Sequence, residues 1–162
     1  GILADTITIE HYHDLAKLIL SFTIFWAYMA FSQYFLIWYA NIPEETIWYL
    51  HRWQGSWKIF SMALVLGHFL FPFLALLTRA AKRNLSFVRF MSFWILAMHW
   101  IDLYWISMPV FHHHGIHLSW IDATLFLGIG AVFLGLFFKV LSAHAIVPVS
   151  DPRLERSIKF TN

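Results

Sequence analysis

Four long runs of apolar residues alternate with short polar segments along this chain. The runs cover residues 15–40, 57–78, 87–108 and 121–141. A helix needs about 20 apolar residues to cross the hydrocarbon core of a bilayer, and each run reaches that length. The pattern therefore predicts an all-α fold, an integral membrane bundle of four transmembrane helices within residues 1–141.

The polar segments between the runs carry signals for helix ends. Pro43, followed by two glutamates, is typical of a first helical turn, where acids complement the helix dipole. Ser119 and Asp122 have the spacing of a capping box, which predicts that the fourth helix begins there. Residues 142–162 are polar and are expected to form an extramembrane tail.

The second and fourth runs contain features that govern helix packing. Ala63 and Gly67 form a pair of small residues four positions apart, which allows another helix to approach closely. Ala131 and Gly135 form a second such pair. Pro72 lacks an N–H donor and its ring crowds the preceding turn, so a kink is expected in the second helix.

Lysine and arginine are distributed unevenly between the two ends of the predicted helices. Four spans put both ends of the chain on one side of the membrane. That side carries nine basic residues, and the opposite side carries two, Arg52 and Lys58. Because cytoplasmic loops are the ones enriched in Lys and Arg, both termini and the tail are expected in the cytoplasm.

The composition agrees with a membrane location and excludes several kinds of site. Charged residues make up 12% of the chain and hydrophobic residues 60%, whereas a soluble domain carries roughly 25% charge. The absence of cysteine excludes disulfides, thiolate-held iron–sulfur clusters and thioether haem attachment within these 162 residues. A net charge of +2 without a basic run gives no indication of a nucleic-acid partner. Because the sequence begins at Gly1 and not at methionine, we expect it to be part of a longer chain.

The third run carries the candidate chemistry, because His99 and Asp102 interrupt an otherwise apolar and aromatic helix. Residues three positions apart lie on one face of a helix. A carboxyl group within a membrane normally points into a bundle or a wet cavity. Histidine titrates near neutrality, and burial moves a carboxyl toward it. Two interpretations stay open: a proton path or quinone-pocket edge, and a His–Asp hydrogen bond that only locks helix packing.

Three further residues are candidates for the lining of a cavity. Gln33 and His68 are polar groups inside the first and second runs, and Trp105 lies among several aromatic residues that would suit a quinone ring. His68 and His99 could in principle clamp a b-type haem, but one histidine per helix is weak support, and we expect no haem on this chain. The four histidines of the loop 112–117 are expected to lie at the membrane surface rather than to bind a metal.

Two stretches are rather specific in sequence. They are Phe31-Ser32-Gln33-Tyr34 and Trp38-Tyr39-Ala40-Asn41-Ile42-Pro43-Glu44-Glu45-Thr46. Together with His11, His13, Asp14 and Lys17, and with the tail from Val147 to Glu155, they resemble the ActF-type, polysulfide-reductase-like (NrfD-like) membrane subunits of bacterial alternative complex III. The resemblance covers nearly the whole chain.

This resemblance implies a subunit of a respiratory complex of the bacterial inner membrane that passes electrons from quinol to a cytochrome c or an oxidase. It implies partner subunits that carry haem c and iron–sulfur clusters. Subunits of that family have about ten spans, so this chain would be the C-terminal part of one, and the quinone pocket could lie elsewhere. The alternative from a different class is a purely structural anchor or a piece of a transporter bundle.

Overall fold

The computed structural model describes residues 7–112, 115–116, 119–147 and 151–159, and within these every regular element is helical. The elements in chain order are α1 (Ile9–Ala40), α2 (Pro43–Arg52), α3 (Trp57–Ala63), a π-helical segment (Leu64–Leu70), α4 (Phe71–Ala75), α5 (Arg79–Arg83), α6 (Leu85–Ser107), a 3-10 turn (Met108–Val110), α7 (Trp120–Ser142) and α8 (Leu154–Lys159).

The chain divides into two compact units. One unit extends from Ile9 to Ile116 and contains α1 to α6. The other contains α7 and α8. The candidate site described below lies entirely in the first unit.

Three helices are long and apolar enough to cross a membrane, namely α1, the continuous helix Trp57–Ala75 and α7. They correspond to the first, second and fourth predicted runs, so the prediction of a helical fold with long apolar helices is confirmed, with three helices of spanning length in the described structure. The helix α6 has 23 residues but does not belong to this set. Its aromatic content and its polar residues, among them His99 and Asp102, lower its hydropathy.

The helix ends differ from the predicted boundaries by a few residues. Helix α1 begins at Ile9, six positions before the predicted start, and the second helix ends at Ala75 instead of residue 78. The capping box at the start of α7 is confirmed, because the Ser119 N–H donates to Asp122 Oδ2 at 2.9 Å. The cap fixes the start of α7 at Trp120.

The helices α6 and Trp57–Ala75 pack antiparallel to each other. The contacts between them run in opposite directions along the two helices: Trp94 meets Gly67, and Trp105 meets Ser61. Tyr104 follows the same order and lies against Trp57 and Phe60, with ring centroids about 6 Å apart. The side chains of Trp57, Leu76 and Met91 are fully buried and form the centre of this core.

The distortion predicted at Pro72 takes the form of the π-helical segment directly before it. In that segment the Phe71 N–H donates to the Leu66 carbonyl, five residues back. The equivalent bond one residue further would join the N–H of residue 72 to the Gly67 carbonyl, but Pro72 has no N–H. Trp94 Nε1 on α6 supplies it instead, at 2.8 Å. The proline therefore frees a backbone acceptor that joins the second helix to α6.

Gly67 also permits the close approach that its spacing predicted. A Cβ at this position would lie 3.0 Å from Met98 Sδ and 3.7 Å from Trp94 Cζ2. The second small-residue pair, Ala131 and Gly135, lies on α7, none of whose residues is buried in the described structure. Its role in packing stays a prediction.

Candidate functional site

The candidate site is built around Asp102, which is 7% exposed although it belongs to a largely apolar helix. Trp26 on α1 donates its indole N–H to Asp102 Oδ2 at 2.9 Å. The bond joins two helices whose residues are 76 positions apart in the chain. A buried carboxylate without a donor would be very costly, and this indole supplies one.

His68 lies on the other side of Trp26. The two ring centroids are 4.1 Å apart and the rings are tilted by 33°. His68 is 4% exposed, and its Nδ1 atom is buried without a hydrogen-bond partner among the described residues. An unsatisfied buried nitrogen costs roughly 1–3 kcal/mol, so such an atom calls for a water molecule, a ligand or a proton.

His99 completes this group of residues, which we name the Trp26 junction: Trp26, His68, His99 and Asp102. The His68 and His99 rings are 6.3 Å apart between centroids and stand nearly edge to face. Asp102 and His99 are also the two groups whose charges act on the His68 ring. One carboxylate and two imidazoles thus meet around one indole, at the contact of three helices.

The local structure explains why these side chains meet. Trp26 lies on the stripe of α1 that faces the other helices, one turn after the buried Thr23. His68 belongs to the π-helical segment, where each turn holds an extra residue and the direction of the side chains changes. π-Helical segments are frequent at functional sites for this reason. Asp102 lies five residues before the end of α6, about 8 Å along the helix axis.

The predicted site residues fall in three different places. Asp102, His68 and His99 are brought together, although His99 is exposed. The donor to the Asp102 carboxylate is Trp26 and not His99. Gln33 is exposed on α1. Trp105 is half-buried and donates its indole N–H to Ser61 Oγ at 2.9 Å, next to Arg52.

Arg52 forms a second polar centre, which the sequence had suggested only as an interfacial cation. It is 2% exposed. Its guanidinium donates to three carbonyls, those of Trp48, Trp105 and Ile106, and lies 3.4 Å from the Trp48 ring centroid. Two of these carbonyls belong to the last turn of α6, where a positive charge is favourable. Arg52 therefore ties α2 to the end of α6 that carries Asp102.

Burial lowers the pKa of Arg52 from its ordinary value to about 10, and the Tyr49 phenol acts in the opposite direction. Burial likewise raises the pKa of Tyr49. Arg52 is consequently still cationic and Tyr49 still neutral at neutral pH. A fixed positive charge thus lies near the Trp26 junction along α6.

A third polar group lies near the start of α1. His13 is 5% exposed there, and Glu10 is 6% exposed. Arg83 on α5 pairs with Glu10 Oε1 at 2.7 Å. The available signal was the spacing of Glu10, His13, Ala16 and Thr23, which places all four on one stripe of α1.

Within the described part of the chain, no group of three or more His, Asp or Glu side chains is arranged to hold a metal ion. The loop 112–117 lies largely outside the described residues, since His113, His114 and His117 are not among them. A scan against protein-family models found no match, and a search of curated proteins also found none.

Proposed function

We propose that this chain is a proton-handling membrane subunit of a quinol-oxidising respiratory complex of the alternative complex III type. The observation that carries the proposal is the Trp26 junction: a buried carboxylate, bonded to an indole that stacks on a buried imidazole with an unpaired nitrogen. Groups of these two kinds exchange protons near neutral pH when they are buried together. The type of complex comes from the sequence resemblance.

Quinol oxidation releases two protons for every two electrons, so a quinol-oxidising complex needs titratable acceptors within apolar surroundings. In the proposed mechanism, Asp102 and His68 share and pass on a proton, with His99 as the exposed entrance or exit. Trp26 orients both groups through its N–H and its ring. His99 and Trp105 would line the quinone side of the site. Gln33 is exposed and would serve at a subunit contact instead.

The proposal includes four spans, with α6 as the third. Helix α6 is about 35 Å long at 1.5 Å per residue, enough to cross the bilayer core. It packs antiparallel along Trp57–Ala75, itself apolar enough to span, so that both helices cover the same depth. The polar side chain of Asp102 points into the helix contact and not outward.

The cellular setting follows from the same proposal. The chain lies in the inner membrane of a bacterium with both described ends of the bundle on the cytoplasmic side, where nine of its basic residues are found. It binds no redox centre itself. Quinol or menaquinol is the substrate of the assembly, and neighbouring subunits hold haem c and iron–sulfur clusters. The chain is the C-terminal part of a longer subunit.

Purification of the protein from its native membrane tests this assignment. We expect the subunit to co-purify with subunits that show haem c absorption and iron–sulfur signals, and the preparation to reduce cytochrome c with quinol. Asp102→Asn should leave the assembly intact and slow this turnover. Asp122→Asn, which removes the charge of an acid at a helix start, is the matched control and should keep full turnover. A complex without haem c, or without quinol oxidation, would refute the assignment.

A second candidate is a structural role, in which the Trp26 junction only locks three helices together. In the described structure the guanidinium of Arg52 donates only to backbone carbonyls, so that cluster joins helices and leaves no group free for chemistry. This neighbouring cluster favours a structural role for the Trp26 junction as well. The two candidates differ in Asp102→Asn. A structural lock predicts unchanged turnover and proton movement once the complex has assembled, because asparagine still accepts the Trp26 hydrogen bond.

A further inference from the structure

We propose that Glu10, His13 and Arg83 form a second proton-binding site, in which a water molecule and one exchangeable proton join the Glu10 carboxylate to the His13 ring. This inference goes beyond the proposed function, because the site is separate from the Trp26 junction and its existence does not require quinol oxidation. The two atoms that hold the proton are Glu10 Oε2 and His13 Nδ1.

Both atoms are buried and without a hydrogen-bond partner among the described residues. They face each other at 3.9 Å. That distance is too long for a direct hydrogen bond, which needs about 2.7–3.2 Å. A water molecule placed beside the gap can bond both atoms at about 2.8 Å. Buried polar atoms in native proteins nearly always have such a partner, so the geometry points to an occupant with both donor and acceptor capacity.

The charges around the gap make the site one that gains and loses a single proton. The other oxygen of Glu10, Oε1, is held by Arg83 at 2.7 Å, which leaves Oε2 to face the His13 ring. The groups that act on His13 are the cations Lys17 on α1 and Arg79 and Arg83 on α5, together with the Glu10 carboxylate. Burial, the largest influence, favours a neutral ring, the three cations act in the same direction, and Glu10 favours a charged ring. When a proton arrives, it is shared between Nδ1 and Oε2 through the water.

The site lies near the start of α1. Glu10 and His13 share the buried stripe of α1 with Ala16 and Thr23, and the same stripe leads to Trp26. His13 and Trp26 are 13 residues apart, about 20 Å along the helix. The site therefore lies at the opposite end of the helix contact from Arg52, close to α5, which carries Arg79, Lys82 and Arg83.

A proton-uptake measurement tests the site. The chain in lipid nanodiscs is acidified from about pH 8 to about pH 5, the range in which histidine titrates, and the protons taken up are counted with a soluble pH indicator. Glu10→Gln and His13→Gln should each take up about one proton per chain fewer than the wild type. The double variant should lose no more than either single one, because all three changes remove the same proton.

Two controls keep the result specific. Asp14→Asn removes the carboxylate of an exposed pair with Lys17, also three positions apart on α1, and should leave the uptake unchanged. The difference in proton uptake between Glu10→Gln and the wild type should persist when both chains also carry Asp102→Asn. The result for this site is therefore independent of the proposed function. Variants are compared only if they keep the wild-type helical circular dichroism and monodisperse elution. Unchanged uptake in both single variants would overturn the inference, and so would additive losses in the double variant.

Discussion

Trp26 is the residue on which the candidate site depends most, because it contacts both titratable partners. Trp26→Phe keeps a ring against His68 but removes the donor to Asp102 Oδ2. Loss of a hydrogen bond to a buried charged group is expected to lower the free energy of unfolding by about 2 kcal/mol. Thermal unfolding in detergent, followed by circular dichroism, measures this. Trp38→Phe is the control, since Trp38 is 63% exposed on the same helix; equal losses in both variants would argue against the bond.

Arg52 allows a second prediction at the scale of single residues. A lysine lacks the planar guanidinium group, so Arg52→Lys cannot donate hydrogen bonds to the carbonyls of Trp48, Trp105 and Ile106 together. We expect a loss of about 2–3 kcal/mol in the free energy of unfolding. Arg89→Lys, at an exposed position of α6, should cost almost nothing.

The pH dependence of Arg52 has a definite sign. Its folded pKa of about 10 lies below the ordinary value for arginine, so the unfolded chain binds more protons only between these two values. The contribution of Arg52 to stability is therefore constant below about pH 10 and rises above it. The difference in the free energy of unfolding between the wild type and Arg52→Gln, which places no titratable group at this position, should be the same at about pH 6 and about pH 9. A difference that changes across this interval would mean that Arg52 is not the buried cation described here.

At the scale of elements, the contact between the π-helical segment and α6 makes Gly67 a sensitive position. A Cβ there would lie 3.0 Å from Met98 Sδ, so Gly67→Ala forces the thioether to move. Overpacking of this kind costs about 1–3 kcal/mol. Met98→Ala alone also destabilises, by removing a half-buried side chain from the contact. The double variant should be more stable than the sum of the single effects predicts, and strict additivity would contradict the close approach.

The sequence predicts most elements but little of the site geometry, for physical reasons that differ between residues. Hydropathy marks the long helices, and Ser119 with Asp122 marks a helix start, because these signals are local. Asp102 is conspicuous as an acid in an apolar run. Trp26 is not, since a buried indole usually finds a hydrogen-bond partner but the sequence does not show which one. The burial of Arg52 depends on a helix pairing that no local pattern encodes.

At the scale of the whole molecule, the decisive structural question is whether α6 crosses the membrane. With α6 as a span, a cysteine at Ser86 and one at Phe111 lie on opposite faces; without it, they lie on the same face. Both positions are exposed. Gly115 would be a poor choice, because it has a φ of +155° and a Cβ there would lie 2.8 Å from Ser56 Oγ. We expect a membrane-impermeant maleimide to label Phe111→Cys in intact cells and Ser86→Cys only after lysis.

The coupling of proton movement to quinol oxidation tests the central claim most directly. The purified complex is reconstituted into liposomes, and the protons moved per electron are measured with the wild type and with Asp102→Asn. Asparagine keeps the acceptor for Trp26 but cannot ionise. We predict normal assembly, with turnover lowered at least tenfold or with fewer protons moved per electron. Full turnover with an unchanged proton-to-electron ratio would contradict the claim and reduce the Trp26 junction to a structural lock.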